Sequence, residues 1–515
     1  MSMRIGVDVG GTHTDAVLLD GDEVRASTKC RTTADIGEGV VEALSVVTAD
    51  LADRRDVRAV MIGTTQFTNA VVERRRLAEA AIVRIALPSG RDVPPQLDWP
   101  EDLADALGRH VFMVPGGRLY DGRVLAPPDE AAMVRVIDEI ERRGLGAVAI
   151  ASVFAPVDPA PELEFAERLA ARLPHVRVVC SHVLGRVGIL ERENAALLNA
   201  ALLAFADEVV DGFDGALSRL GLDCPLYISQ NDGTLMATDF ARRFPALTFA
   251  SGPTNSLRGA SLLAGRRDAV VIDIGGTTSD VGVLRDGFPR ESNLGVAVGG
   301  ARTNFRMPDI LALGIGGGSR VAADGSTVGP TSVGYRLVED GRVFGGDVLT
   351  ATDLAVADQG LAIGDPGRVA DLDRGVVERA VSHIHEQLDT AVDRMRTSRD
   401  PVPVILVGGG AILVSRPLPS ASELITPAHA GVANAIGAAH AEVGVERERI
   451  APRRDRERVL AALESELEAE VVRAGARADS VRIADLEETS VAYMAEDTVR
   501  IRMKTVGALA LEDPS

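Results

Sequence analysis

Two short loops in this sequence each combine glycines, hydroxyl side chains and a pair of aspartates. The first lies in Ile5–Asp20, which reads IGVDVGGTHTDAVLLD, and the second in Val270–Arg285, which reads VVIDIGGTTSDVGVLR. Backbone N–H groups and hydroxyls donate hydrogen bonds to phosphate oxygens, and glycine lets the backbone approach them closely. Carboxylates nearby supply the oxygen ligands that Mg²⁺ prefers. The two loops therefore predict a site that binds a nucleoside triphosphate with magnesium.

Each loop contributes a matching set of expected ligands. Asp8 and Asp273 follow the apolar runs, and we expect them to be the catalytic carboxylates. They would hold Mg²⁺, directly or through water, or orient the attacking group. The other loop positions are expected to contact the nucleotide: Gly10, Gly11, Thr12, His13, Thr14, Asp15, Gly275, Gly276, Thr277, Thr278 and Asp280. One such loop is equally compatible with an ordinary hairpin turn, but two copies in the same context favour function.

Two further glycine clusters follow the second loop. Gly314–Ser319 reads GIGGGS, and Val404–Ala411 reads VILVGGGA, which places glycines directly after an apolar strand. A flat adenine ring needs a backbone surface without side chains, and such a turn provides one. The positions expected to contact the nucleotide here are Gly316, Gly317, Gly408, Gly409 and Gly410.

The loops must be positioned by β-hairpins. An apolar, β-branched run precedes the glycines of each loop and another follows its second aspartate, which predicts strand, tight turn, strand. The glycines of a Rossmann or P-loop motif instead open a helix, so both of those folds are excluded. Two similar hairpins predict two α/β domains, 1–190 and 191–450, that face one nucleotide cleft. Residues 451–515 contain an amphipathic helix and strand-like runs and are predicted to form a small α+β appendage.

Two polar groups outside the loops are candidates for the substrate side. Thr64, Thr65 and Asn69 lie where a strand at Val57–Ile62 is predicted to give way to a helix, and helix N-termini present donors to ligands. Helix N-capping explains the threonines equally well. His182 and Glu191 flank a long predicted helix. A histidine titrates near neutrality and suits a general base, whereas a polar hinge is the alternative role for this group.

Length, composition and charge exclude several classes of protein. A chain of 515 residues is long enough for two or three domains. A net charge of −20 and an aromatic content of 3% argue against a nucleic-acid partner. The N-terminal residues lack the pattern of a signal peptide, and no apolar stretch is long enough to cross a membrane. Cys30, Cys180 and Cys224 are widely spaced, so we expect neither disulfides nor a cysteine-rich zinc site. These features predict a cytoplasmic protein without a membrane partner.

Several longer motifs make the chain recognisable. It resembles the hydantoinase/oxoprolinase family, of the A-subunit type found in N-methylhydantoinase, within the actin-like ATPase superfamily. The resemblance extends over about residues 3 to 440. Besides the two loops, it rests on IGTTQFTNAVVERR (62–75), YDGRVLAPPDE (120–130), SVFAPVDPAPE (152–162), CSHVLGRVGILERENAALLNA (180–200), SQNDGTLM (229–236), ASGPTNSLRGA (250–260) and LGIGGGSRVA (313–322).

The resemblance implies an α/β fold of two actin-like, ribonuclease-H-like domains around a nucleotide cleft. It implies that ATP, with Mg²⁺, phosphorylates the oxygen of a cyclic amide such as a hydantoin, a lactam or 5-oxoproline, and that hydrolysis opens the ring. It also implies a small-molecule substrate, a second subunit of the B type or another type, and a homo- or hetero-oligomer. Two alternatives stay open: a subunit of an ATP-dependent carboxylase, and a nucleotide-switched regulatory protein. Ala411–Val414 reads AILV and lacks the histidine of larger family members, so a second metal is not implied.

Overall fold

A computed structural model describes residues 3–11, 13–31, 36–185, 188–292, 295–491 and 497–511. Its helices are α1 (Ile36–Val47), α2 (Gln66–Glu73), α3 (Glu101–Ala106), α4 (Glu130–Arg143), α5 (Ala160–Arg172), α6 (Ile189–Arg219), α7 (Thr238–Arg243), α8 (Ser251–Ala264), α9 (Leu337–Asp340), α10 (Ala351–Gln359), α11 (Arg374–Met395), α12 (Ala433–Ala439) and α13 (Arg456–Arg473).

The strands alternate with these helices along most of the chain. They are β1 (Met3–Val9), β2 (His13–Asp20), β3 (Glu23–Arg31), β4 (Val57–Thr64), β5 (Ala81–Leu87), β6 (His110–Pro115), β7 (Ala147–Ser152), β8 (Arg177–Cys180), β9 (Leu226–Ser229), β10 (Thr234–Ala237), β11 (Ala269–Ile274), β12 (Ser279–Arg285), β13 (Phe288–Pro289), β14 (Val296–Val298), β15 (Ala301–Thr303), β16 (Ile310–Leu313), β17 (Ser319–Val321), β18 (Val328–Ser332), β19 (Val402–Val407), β20 (Ala421–Ile425), β21 (Glu442–Pro452), β22 (Arg482–Ser490) and β23 (Thr498–Gly507).

Packing divides the chain into two compact units, each built from three segments. The first unit comprises Met1–Gly63, Ser251–Ser292 and Pro308–Ala441, and the second comprises Thr64–Ala250, Asn293–Met307 and Glu442–Ser515. Both predicted phosphate loops therefore belong to the first unit. The predicted domains 1–190, 191–450 and 451–515 are contiguous stretches of sequence, and their bounds stay a prediction.

The first unit contains the same hairpin twice. In one part of it the strands follow the order β4-β1-β2-β3, and in the other the order β13-β12-β11-β19-β20. β1 pairs antiparallel with β2, and β11 pairs antiparallel with β12, so both predicted hairpins are confirmed. On the far side of β11, β19 runs parallel to it. Each loop therefore lies at the tip of a hairpin whose strands are buried within a larger sheet.

Helices α8 and α12 pack against each other with almost no space between their backbones. A Cβ on Gly259 would stand 1.8 Å from the carbonyl oxygen of Ala433, and one on Gly437 would stand 1.9 Å from that of Asn255. On its other side α12 meets β1, where a Cβ on Gly6 would stand 2.0 Å from the carbonyl oxygen of Ala435. Small residues thus allow α12 to sit against both β1 and α8, which brings polar side chains of the two helices to the loops.

The second unit is built on two sheets. One has the order β6-β5-β7-β8 with every pairing parallel, and α4 and α5 cover it through residues such as Ile140 and Phe165. The other has the order β22-β23-β21-β10-β9. Strands β22 and β23 of this sheet, together with α13, lie in the region predicted as an appendage. There, Leu463 and Leu467 of α13 pack on Ile501 of β23.

Two expectations about the chain as a whole were tested by the structure. None of the helices formed by the described residues is both long and apolar enough to cross a membrane. Cys30, Cys180 and Cys224 are all unpaired thiols, as their spacing predicts.

Candidate functional site

The two loops have the same geometry at the tips of their hairpins. Asp8 lies directly opposite Asp15 in the β1–β2 pairing, and Asp273 lies directly opposite Asp280 in the β11–β12 pairing. The Gly10 N–H donates to the carbonyl oxygen of residue 13 across the first turn at 3.0 Å, and the Gly275 N–H donates to that of residue 278 at 2.9 Å. The two loops, which repeat one another in sequence, therefore also have the same backbone structure.

The carboxylates of the first loop are held by two residues that the sequence did not indicate. The side-chain amide of Asn434, in α12, donates to Asp8 Oδ2 at 3.0 Å and to Asp15 Oδ2 at 2.9 Å. Lys29 stands opposite Asp15 in the β2–β3 pairing, and its Nζ lies 2.7 Å from Asp15 Oδ2. Asn434 is the polar residue within the small-residue run ANAIGAA of α12, and this isolated polarity was the available signal.

The electrostatics of the site favour a bound cation. Burial, and then the charge of Asp15, raises the pKa of Asp8 to about 7. Burial also raises the pKa of Asp273, although a hydrogen bond from Ser256 of α8 opposes this shift. Burial and the charge of Asp273 raise the pKa of Asp280 to about 6. A divalent cation would relieve the repulsion between these carboxylates.

One oxygen of Asp8 is buried and is suited to bind a ligand. Asp8 Oδ1 is buried and has no hydrogen-bond partner among the described residues. A buried carboxylate oxygen without a partner is costly unless a metal, a water molecule or a ligand completes it. The predicted Mg²⁺ ligand Asp8 therefore fits that role.

A second unsatisfied group lies beside the same oxygen. A Cβ on Gly63 would stand 2.6 Å from Asp8 Oδ1 and 2.4 Å from Asn255 Nδ2, so both atoms border the space at this glycine. Asn255 is fully buried, and both polar atoms of its side chain lack a partner among the described residues. Asn255 belongs to the motif ASGPTNSLRGA, but sequence reasoning gave it no role. The space between Gly63, Asp8 and Asn255 is suited to a water molecule or a polar ligand atom.

The glycines after β19 adjoin the second loop. Gly408 has φ of +83°, and a Cβ there would stand 2.3 Å from Asp273 Oδ1. The Gly410 N–H donates to the carbonyl oxygen of Ile274 at 2.7 Å. A Cβ on Gly409 would meet no atom within 4 Å, so this residue faces open space. Gly408 and Gly410 therefore shape the loop, while Gly409 offers the bare surface expected of a nucleotide contact.

The segment GIGGGS supports the second loop from another side. The Gly317 N–H donates to the carbonyl oxygen of Gly275 at 3.0 Å, and the Gly318 N–H donates to that of Gly276 at 2.7 Å. A Cβ on Gly316 would stand 2.6 Å from the Thr277 nitrogen. The Gly317 and Gly318 N–H groups are therefore already hydrogen-bonded to the second loop, and Gly316 packs against it. Contact of Gly316 and Gly317 with the nucleotide stays a prediction.

The predicted nucleotide ligands differ in how accessible they are. Thr14 is fully buried in β2. Thr12 lies outside the described residues. The exposed positions are Gly11, His13, Gly276, Thr277 and Thr278. Most of the backbone at the tips of both loops is thus accessible to a ligand.

In the second unit, Thr64, Thr65 and Asn69 form one local cluster, and His182 belongs to another. Thr64 Oγ1 accepts a hydrogen bond from the Gln66 N–H at 3.2 Å, and the Asn69 amide donates to Thr65 Oγ1 at 3.4 Å. Thr65 stands at the N-cap of α2, but its side chain makes no capping bond. Thr64 therefore fulfils the local structural role that was the alternative to substrate binding.

The other cluster surrounds His182. Its Nδ1 lies 2.7 Å from Glu162 Oε2, and Glu162 is a fully buried residue that sequence reasoning missed. Glu191 lies in the first turn of α6 and is partly buried. The substrate roles of His182 and Glu191 stay predictions.

Two sequence profiles match the chain over most of its length. Residues 4–173 match the hydantoinase/oxoprolinase N-terminal region, and residues 192–361 match the hydantoinase/oxoprolinase profile.

Curated relatives are longer than this chain. The alpha subunit of a caprolactamase from Pseudomonas jessenii is 27% identical over 422 residues, which cover 76% of this chain and 60% of that protein. The gamma subunit of an acetophenone carboxylase from Aromatoleum aromaticum is 25% identical over 389 residues, which cover 68% of this chain and 52% of that protein. The chain therefore spans about half to three fifths of the length of these relatives.

The fold is also found in a solved structure. The crystal structure of the ATP-dependent caprolactamase from Pseudomonas jessenii superimposes with a TM-score of 0.81, at 20% identity, over 98% of this chain and 87% of that one. This likeness confirms the predicted α/β fold with two actin-like domains.

Proposed function

Because the chain belongs to the hydantoinase/oxoprolinase family, we propose that it is an ATP-dependent hydrolase that opens a cyclic amide. The substrate would be a hydantoin, a lactam or a compound like 5-oxoproline. One observation carries the proposal: two matching hairpins place four acidic residues in one unit, and among them Asp8 Oδ1 is buried and has no hydrogen-bond partner in the part of the chain that the structure describes. Such a group of carboxylates suits a site for Mg²⁺ and a triphosphate.

ATP would bind with its phosphates at the two loop tips. The exposed backbone of Gly11 and of 276–278 supplies donors, and Gly409 supplies an open surface for the base. Asp8 and Asp273 would hold the Mg²⁺ ion, which neutralises phosphate charge when bound. Asn434 and Lys29 would keep the first pair of carboxylates in place while the nucleotide binds.

The chemistry follows from the poor reactivity of an amide. The amide oxygen attacks the γ-phosphorus of ATP, a bond from that oxygen to phosphorus forms, and the bond to ADP breaks. Water then adds to the carbon of the resulting phosphorylated imidate, and the C–N bond breaks to leave an amine and an acyl phosphate. A second water releases phosphate and leaves the carboxylate. For the transfer itself, the protein contributes positioning and charge neutralisation.

We also propose that the chain acts with a second subunit. The two relatives described above are named as subunits, one of a caprolactamase and the other of an acetophenone carboxylase. The partner would be a subunit of the B type or another type.

A carboxylase is the second candidate. The acetophenone carboxylase gamma subunit is nearly as similar as the caprolactamase subunit, at 25% against 27% identity. In that reaction ATP would activate a ketone enolate or bicarbonate, and the same two loops would bind the phosphates of ATP. A nucleotide-switched regulatory protein is the third candidate, in which ATP turnover has no small-molecule acceptor.

The experiment that separates these functions measures ADP release by the purified full chain, with and without its candidate partner subunit. Hydantoin, 5-oxoproline and caprolactam form one set of substrates, and acetone or acetophenone with bicarbonate forms the other. Stimulation by a cyclic amide, with the ring-opened product seen by mass spectrometry, supports the hydrolase. Stimulation by ketone and bicarbonate supports the carboxylase. ATP hydrolysis that no substrate stimulates favours the switch and contradicts both enzymes.

A further inference from the structure

A buried polar cluster in the second unit surrounds one carboxylate. Glu162 lies in the first turn of α5 and is fully buried. Its Oε1 accepts from the Ser152 N–H at 2.8 Å and from the Ser181 hydroxyl at 2.5 Å. Its Oε2 accepts from the His182 N–H at 3.1 Å and faces His182 Nδ1 at 2.7 Å. The Ser152 N–H, the Ser181 hydroxyl and the His182 N–H all donate to this carboxylate, so it acts as a fixed acceptor.

Arg192 balances the charge of the cluster. This arginine of α6 is fully buried, and its Nε donates to Ser181 Oγ at 2.8 Å while its Nη2 donates to the carbonyl oxygen of Ser152. The Ser181 hydroxyl thus accepts from Arg192 and donates to Glu162. A cation and an anion connected through hydrogen bonds make a buried charge tolerable.

The consequence is a histidine whose tautomer is set by its neighbours. Glu162 holds the backbone N–H and the ring Nδ1 of His182 together, which fixes the orientation of the ring. Because the carboxylate can only accept, Nδ1 carries the proton, and the neutral ring has its lone pair on Nε2. No partner of Nε2 is found among the described residues, and the His182 side chain is 19% exposed. The basic nitrogen is therefore available to a ligand.

We propose that His182 is a general base and that Glu162 is the residue that positions it. The proposal rests on the proposed hydrolase function for the step served: His182 Nε2 takes a proton from the water that adds to the phosphorylated imidate carbon. As the new C–O bond forms, the proton of the water moves to His182 Nε2. The resulting imidazolium can then give this proton to the nitrogen of the cyclic amide when the C–N bond breaks. This division between a base and an orienting carboxylate is the arrangement of a hydrolytic triad without its nucleophile.

A metal site at the same place is the competing assignment. Ligand atoms of Glu162, Cys180 and His182 lie within 4.8 Å of one another. However, both oxygens of Glu162 are already occupied by donors, and a metal would have to displace them. Burial, and then the charge of Glu162, raises the pKa of the Cys180 thiol to about 12, which disfavours the thiolate that a metal needs. The geometry therefore favours the base over the metal.

The first test measures the reactivity of His182 without any substrate. The full chain is treated with diethyl pyrocarbonate, which modifies a basic imidazole nitrogen, and each histidine is followed by peptide mass spectrometry. We expect Glu162→Gln to slow modification of His182 severalfold, because the ring is no longer held with the Nε2 lone pair available to the reagent. Glu164→Gln, on an exposed face of the same helix, is the matched control and should change nothing. Equal rates in Glu162→Gln and wild type would overturn the positioning role.

The second test uses the amide substrate that the wild type opens. We expect His182→Ala to lower ring opening by about 10²-fold or more, while ADP release persists and exceeds ring opening. Added imidazole should restore part of the ring opening, which a purely structural loss would not allow. Glu162→Gln should lower kcat by about tenfold with KM little changed, and exposed His175→Ala should match wild type. Full activity of His182→Ala would overturn the proposal.

The outcomes distinguish this inference from the function it rests on. If wild-type protein opens no cyclic amide, the proposed function fails, whereas the diethyl pyrocarbonate rates still decide whether Glu162 orients a basic His182. If the wild type opens the ring and His182→Ala does so equally well, only the inference fails. One equivalent of zinc bound by the wild type and lost in Cys180→Ser would show a metal site and overturn the base.

Discussion

Asp8 and Asp273 occupy equivalent positions in two matching hairpins, and burial raises the pKa of both. A cation bound beside two such carboxylates would favour their ionised forms. This shared property of the pair, more than the glycines around it, makes the first unit a candidate magnesium and nucleotide site.

The first prediction concerns the two carboxylates themselves. Asp8→Asn and Asp273→Asn should each lower ATP turnover by about 10²-fold or more, because each removes a ligand of the proposed metal from the transfer step. Both proteins should stay folded, since the substitution keeps the shape of the side chain and removes a buried charge. Asp22→Asn, at a side chain that is 93% exposed, is the control. Turnover that is unchanged in both variants would contradict the proposed site.

The second prediction concerns the pH dependence of stability. The folded-state pKa of Asp8 is about 7 against an ordinary value of 3.8, so the folded protein binds this proton more tightly than the unfolded chain. Its contribution to the free energy of unfolding is therefore present at low pH and is lost as the pH rises from about 4 to about 7. Asp8→Asn should flatten this part of the curve and stabilise the protein at pH 8 by a few kcal/mol, at about 1.4 kcal/mol per pKa unit. Thermal unfolding between pH 5 and pH 8 provides the measurement.

A third prediction follows for the metal. Mg²⁺ binding requires the ionised form of Asp8, so it must displace a proton below pH 7. Affinity for Mg²⁺ with ATP should rise by up to about tenfold per pH unit below 7 and level off above it. Besides burial, the charges of Asp15 and Asp273 raise the pKa of Asp8, whereas the hydrogen bond from Asn434 and the charge of Lys29 lower it. Calorimetry in buffers of different ionisation enthalpy counts the released proton, and no release at pH 6 would contradict the assignment.

The hairpins and their aspartates could be predicted from the sequence because everything that defines them is local. Alternating apolar runs, turn glycines and the strand-end position of Asp8 lie within a few residues of each other. Asn434 could not be predicted, because it reaches Asp8 across 426 positions, and only the packing of α12 on β1 brings them together. Lys29 required the pairing of β2 with β3, and Glu162 required the arrangement of β7, α5 and β8. Contacts between distant segments are fixed by packing, which no local pattern records.

The fourth prediction compares two adjacent glycines. Gly408→Ala should destabilise the protein by about 1 to 3 kcal/mol, because φ is +83° and the new Cβ would stand 2.3 Å from Asp273 Oδ1. Gly409→Ala should leave the free energy of unfolding within about 0.5 kcal/mol of wild type, because its Cβ meets open space. A raised KM for ATP in Gly409→Ala would support its predicted contact with the nucleotide. Equal stability of the two variants would contradict the role of Gly408.

The last prediction concerns Lys29, whose Nζ lies 2.7 Å from Asp15 Oδ2 and whose charge lowers the pKa of Asp8 and of Asp273. Lys29→Met should therefore raise the pKa of Asp8 further, so that the pH at which Mg²⁺ and ATP bind moves upward. At pH 7 we expect binding to weaken, with a smaller loss at pH 8.5, where Asp8 ionises without help. Arg25→Met is the matched control, because Arg25 lies on the same exposed face of β3 and pairs with Asp20 instead. Equal loss of affinity in both variants would point to the net charge of the surface, whereas a loss confined to Lys29→Met places the effect at the paired carboxylates.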